Sequence, residues 1–308
     1  MTALPDIAKD RLLPWRRQSG PLADLPWLKD GRLTETIPLW FVDFFVKTRN
    51  IGFVAPESAD DCTMTTLEDN WCLYQLVKTA RPTRSLEIGI MRGSSSVTIG
   101  KAIADLELIC TQTAIDVDPK AVEVVSRRFA TFDLNPNLNA VIADSRDWLP
   151  RQSDNWQFAF LDGDHVFDTV AFEVTEVYNR TELGGWIVLH DTGSVRWGTR
   201  KDPGVLFFEA VDRELGDSAE LAWLDSTSCD QDMRLRTALD LHVTLPPISE
   251  GIAVGYGGLG MIRKLDARRF LSFEQLLKYK PRQPPEYYPP RPARAKRILN
   301  RHLAVLGS

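Results

Sequence analysis

Cysteine is scarce in this chain, and Cys62, Cys72, Cys110 and Cys229 are neither closely paired nor set at a metal-ligand spacing. A disulfide-stapled scaffold and a cysteine zinc site are therefore excluded as organising principles, and Cys110, inside an apolar run, reads as a small core residue. Long hydrophobic runs are missing too. Stretches such as residues 39–46 are too short and interrupted to cross a bilayer. Residues 1–17 hold no apolar stretch suited to a signal peptide, only scattered charge. Nor is there a surplus of positive charge: the net charge is −5 over 308 residues, which gives no reason to expect a nucleic-acid partner, since such partners usually demand a basic face. The expectation is a cytoplasmic protein with no membrane span and no nucleic-acid partner.

With 44% hydrophobic residues, the chain can bury a full-sized core without staples. Residues 39–46 could be a buried helix or a strand, since periodicity cannot decide for so short a run. Thr66, with Asp69 three residues on, opens a helix with Trp71, Leu73, Leu76 and Val77 on one face, and the helix should stop before Arg81-Pro82. From Ser85 the pattern changes. Short apolar runs at 86–90, 108–115, 139–142, 158–161 and 186–189 read as strands, with helices at 97–106, 119–129 and 167–179 between them. Such alternation implies parallel pairing through right-handed crossovers, and continuous apolar strands suit a sheet covered on both faces. Farther on, a helix at 205–215 and strands at 221–224 and 259–262 are expected around a long insertion. The end differs in kind: from Lys278 to Ser308 it carries eight Lys or Arg against the single Glu286, broken by prolines, and reads as a polyproline-like strap with a short basic helix over 292–306.

The first strand of the alternating region leads into Glu87-Ile88-Gly89-Ile90-Met91-Arg92-Gly93-Ser94-Ser95. Ligands of a doubly wound sheet bind beyond the carboxyl ends of the strands where strand order reverses, so this loop points at the binding crevice. Gly89 and Gly93 permit a tight turn, and Ser94, Ser95 and Ser96 open a helix whose free N–H groups favour an anionic group. The spacing is G-x-x-x-G, not the G-x-G-x-x-G of dinucleotide enzymes. The second strand ends in Asp116, placed to accept hydrogen bonds from ribose hydroxyls, while Asp118-Pro119 suits a helix cap.

This order of motifs resembles the class I S-adenosylmethionine-dependent methyltransferases. The resemblance implies an α/β, doubly wound, mostly parallel seven-stranded sheet with an N-terminal helical lid and a C-terminal basic tail. The corresponding division is a cap over 1–80, the S-adenosylmethionine-binding domain over 81–265 and a Pro-rich basic strap over 266–308. It implies cofactor contacts at Glu87, Gly89, Met91, Gly93, Ser94, Ser95, Asp116, the turn Asp144-Ser145, and Asp162.

The fourth strand ends in Leu161-Asp162-Gly163-Asp164-His165 and the fifth in His190-Asp191-Thr192. Adjacent parallel strands lie about 4.8 Å apart, so these side chains can converge. The segments resemble small-molecule O-methyltransferases, including antibiotic-tailoring and cephalosporin-hydroxylase-like enzymes. That resemblance places Asp162, Asp191 and His190 at positions for a divalent metal, Mg²⁺ or Mn²⁺, although His190 and Thr192 stand where relatives often offer an acid or Asn. His165 is then the first candidate for the base that removes the acceptor proton, and His190 the second. The implied acceptor is the hydroxyl of a small molecule of sugar, phenol or polyketide type, as in natural product biosynthesis, and such enzymes often form homo-oligomers. Trp27, Trp40, Phe41, Phe44 and Phe45 read as core or as the lining of an apolar acceptor pocket; residues 225–256, and Trp197 with the loop 198–204, would also lie near it. The competing expectations are a metal-dependent hydroxylase-like enzyme, a nicotinamide oxidoreductase and a non-catalytic partner protein with the same fold.

Overall fold

The computed structural model describes residues 24–29, 31–50, 65–134, 137–192, 206–224 and 258–280. The expected strap and basic tail from 281 onward, the loop 193–205 with Trp197, and the insertion 225–257 lie outside the described residues.

A two-stranded ribbon, β1 (Leu28–Lys29) and β2 (Arg32–Leu33), precedes helix α1 (Leu39–Asn50). The ambiguous apolar run over 39–46 is therefore helical. Helix α2 (Leu67–Ala80) begins at a reciprocal capping box: Asp69 N donates to Thr66 Oγ1 and Thr66 N donates to Asp69 Oδ2, both at 3.0 Å. It ends at Arg81, whose φ of 44° is left-handed, immediately before Pro82.

The alternating region then delivers β3 (Arg84–Ile88), α3 (Ser94–Asp105), β4 (Thr111–Asp116), α4 (Pro119–Thr131), β5 (Leu138–Ile142), α5 (Ser145–Trp148), β6 (Trp156–Leu161), α6 (Phe167–Arg180) and β7 (Thr181–His190). Strands β8 (Ala219–Leu224) and β9 (Leu259–Lys264) complete a seven-stranded sheet in the order β5-β4-β3-β6-β7-β9-β8. All neighbours pair in parallel except β9, which runs antiparallel to both β7 and β8. Strand order reverses between β3 and β6, where Ile88 stands opposite Leu161.

Along β6 and β7 consecutive residues are buried on opposite faces of the sheet. Phe158, Phe160, Trp186 and Val188 face a core shared with α1 to α4, whereas Ala159, Leu161, Ile187 and Leu189 face α6 and residues Leu206–Val211. Phe41 and Phe45 are fully enclosed in the first core, with Trp27 and Phe44 nearly so; Phe41 packs edge-on against Trp71 at 4.8 Å between ring centroids. These four aromatics are core, and Trp40 is half exposed.

Two expectations shift. The strand expected over 186–189 begins at Thr181, since Thr181-Glu182-Leu183-Gly184-Gly185 is strand without being apolar. The helix expected over 205–215 is a π-helix, Leu206–Val211, running into a single α-turn, Asp212–Leu215. Its Phe207 ring lies so close to β9 that a Cβ on Gly260 would come within 2.6 Å of it.

Candidate active site

The loop after β3 is held by its neighbour. Asp116, ending β4, accepts from Ile90 N and Met91 N through Oδ2 and from Asp118 N through Oδ1, each at 2.8 Å. This makes Asp116 a clamp on the loop, using three of the roughly four lone-pair sites of a carboxylate. Met91 sits at φ 49° with its side chain half exposed, and Gly93, at φ 72°, starts α3 with no side-chain cap. Gly89 has φ 91°, and a Cβ there would stand 2.3 Å from the carbonyl oxygen of Asp162, so the glycine lets the β3 and β6 ends touch.

Glu87 points into the face that carries α3, and Ser95 Oγ donates to its Oε1 at 2.5 Å. Burial pushes the Glu87 pKa up to about 8, against the opposing hydrogen bonds of Ser95 and Ser96. Ser94 Oγ is buried and closes no hydrogen bond among the described residues. An unsatisfied buried hydroxyl beside an uncapped helix start fits a polar, partly anionic ligand group. Asp144 and Ser145 lie one strand farther out. Asp144 caps α5 by accepting from Arg146 N at 2.8 Å, while Ser145 Oγ donates at 2.6 Å to Glu173 of α6. Glu173 was not singled out from sequence; burial raises its pKa to about 8.

The ends of β6 and β7 bring the other candidates together. His190 Nδ1 lies 2.9 Å from Asp162 Oδ1 and 3.5 Å from Asp191 Oδ1, and its Nε2 lies 3.4 Å from Asp69 Oδ2. His165 Nε2 lies 3.5 Å from Asp191 Oδ2 and 3.9 Å from Asp162 Oδ1. Asp191 adopts φ 60°, a left-handed conformation costly for a residue with a Cβ but tolerated by Asp; it turns the chain sharply at the end of β7. Asp69 was expected only as a cap. Its carboxylate serves two partners, Thr66 N and the His190 ring, and no sequence signal points to the second.

The two histidines differ. His190 is buried, while His165 is about a third exposed and reachable from the crevice. Burial alone would lower the His190 pKa, but the charges of Asp162 and Asp191 and the hydrogen bonds to Asp162 and Asp69 override it and hold it well above the usual range. The divalent cation implied by the resemblance does not fit this arrangement. Asp162 Oδ1 is engaged by His190 Nδ1, and both ring nitrogens face carboxylates, so neither is open to a metal. Among the described residues, no group of three or more His, Cys, Asp or Glu side chains is set to hold an ion.

Residues 86–192 match the family model described as a methyltransferase domain, from the second half of β3 to the turn after His190. The match spans about a third of the chain. No curated protein matches it by sequence. Solved structures resembling the fold include SAH-bound PaMTH1, a methyltransferase of Podospora anserina, at 15% identity, covering 86% of this chain and 99% of that one with a TM-score of 0.47. The O-methyltransferase TomG of Streptomyces achromogenes, in complex with SAM, is 14% identical over 75% of this chain and 100% of its own, with a TM-score of 0.49. A Bacillus cereus O-methyltransferase in complex with SAH is 15% identical over 75% and 93%, with a TM-score of 0.48. No described helix is long and apolar enough to cross a membrane.

Proposed function

We propose that the methyltransferase domain transfers a methyl group from S-adenosylmethionine to the hydroxyl of a small molecule. The observation that carries this reading is the juxtaposition at the strand-order reversal: the Gly89–Gly93 turn lies directly against Asp162, which begins the Asp/His cluster. S-adenosylmethionine, when bound, supplies a sulfonium methyl that needs no activation.

The chain's own residues supply the rest. Ser94 and the start of α3 bind the methionine end of the cofactor, Glu87 supports that helix start through Ser95, and Asp116 offers its remaining lone pair to a ribose hydroxyl. The turn at Asp144-Ser145 bounds the adenine side. At the reacting end, Asp191 faces His165 Nε2, which leaves Nδ1 to accept the proton of the acceptor hydroxyl while Asp191 balances the charge that forms on the ring. Asp162 orients both imidazoles from the end of β6. No step runs through a metal ion, because the donors that would hold one are engaged with each other.

The test is calorimetric titration with S-adenosylmethionine and its demethylated product, with NAD⁺ as control, followed by a labelled-methyl assay over sugar, phenol and polyketide hydroxyls. Micromolar binding of the first two ligands, label in a hydroxyl, and loss of turnover in Asp162→Ala with the fold retained are expected. Binding of NAD⁺ alone, or full activity of Asp162→Ala, overturns the reading.

A further inference from the structure

Three carboxylates converge on one buried ring. Asp162 and Asp191 approach His190 Nδ1 from the carboxyl ends of β6 and β7, and Asp69 approaches Nε2 from the first turn of α2. Asp69 lies outside residues 86–192, so this contact comes from beyond the matched methyltransferase domain. Its position is not accidental to α2. The same Oδ2 closes the capping box, and next to it Asn70 Oδ1 accepts from Thr98 of α3 at 2.7 Å, fixing the start of α2 against the cofactor helix. With a carboxylate at each nitrogen, neither nitrogen is open to a metal ion.

We propose that the His190 ring occupies the place a divalent metal would need between Asp162 and Asp191, held from behind by Asp69, and that methyl transfer in this chain proceeds without a metal. The proposal rests on the methyl-transfer reading for its second half only. The geometric argument is independent of it: the buried Asp191 and the part-exposed Asp162 both face His190 Nδ1, so the ring already fills the space between the two strand ends. Asp69 is then a positioning residue, acting on the site through the orientation of His190.

The experiment uses the full chain dialysed against a chelator and titrated with Mn²⁺, followed by electron paramagnetic resonance and by thermal melting. The wild type is expected to bind no stoichiometric Mn²⁺ and to melt at the same temperature with or without it. His190→Asp replaces the ring by a fourth carboxylate, so it is expected to bind Mn²⁺ at least tenfold more tightly than wild type and to melt higher in its presence. One Mn²⁺ bound by wild type and lost in Asp162→Asn would overturn the proposal, whether or not His190→Asp folds. Turnover separates the two readings: chelated enzyme that binds S-adenosylmethionine but turns over only after Mn²⁺ or Mg²⁺ is restored refutes metal independence while leaving methyl transfer intact. Failure to bind S-adenosylmethionine refutes methyl transfer while the Mn²⁺ result stands by itself. For Asp69→Asn, which keeps a capping oxygen, kcat is expected to fall about tenfold at unchanged KM for S-adenosylmethionine. A change in melting temperature with kcat untouched would make Asp69 a cap and nothing more.

Discussion

Glu87 and Glu173 are acids that burial shifts from 4.5 to about 8, one under the glycine loop and one behind Ser145. The folded protein therefore holds protons that the unfolded chain releases. The sign follows by linkage: the stability these groups contribute is full below about pH 4.5 and is lost as pH rises through about 8. Glu173→Gln, which stays neutral, is expected to flatten part of that decline in melting curves taken across this window; an unchanged slope would mean the carboxyl is already ionised in the fold. At this scale the sequence was legible where a residue acts beside its neighbours and mute where it acts at a distance. Asp116 and Asp162 stand at strand ends and could be singled out there. Asp69 was read as a cap because Thr66 is three residues away, but its second partner is 121 residues on. Glu173 lies among helix residues with nothing local to mark it, and only the packing of α6 over α5 brings it to Ser145.

At the scale of elements, caps and glycines decide how the site is presented. Thr66→Ala removes the acceptor of the Asp69 N–H and is expected to cost about 1 kcal/mol by chemical denaturation. Because Asp69 loses its reciprocal partner, the same change should also lower turnover, which an ordinary cap substitution would not do. Gly89→Ala is more severe. Its backbone is left-handed and its Cβ would strike a backbone carbonyl that cannot move without shifting β6, so a loss of about 3 kcal/mol or more and weakened cofactor binding are expected. Most strands were legible because a sheet covered on both faces demands unbroken apolar runs. The start of β7 was not, since Glu182, Leu183 and Gly184 fall at a register shift against β6, between the pairs of Thr181 and Trp186, and carry no such run. The π-helix was equally hidden: its residues, Leu206 to Val211, have an ordinary helical composition, and the wide turn belongs to packing against Gly260.

For the molecule as a whole, a ligand that binds only the folded state adds stability by mass action. The demethylated cofactor product at a hundred times its Kd should contribute about 2.7 kcal/mol, a rise in melting temperature of roughly 5–10 °C for a domain of this size. A dye-monitored melt checks this, and a rise with NAD⁺ in its place would count against the methyltransferase reading. The sheet order has a further consequence, for synthesis. β7 is flanked on its outer side by β9, not by the strand that precedes β9 in the chain. A ribosome thus delivers β3 through β7 with one long apolar edge bare, and that edge stays bare until Lys264 has emerged, roughly 4–15 s later at usual elongation rates. His190 sits at the tip of that unfinished edge. The nascent chain is therefore most exposed to misassociation, and most in need of a chaperone, in the interval just before its chemistry becomes possible.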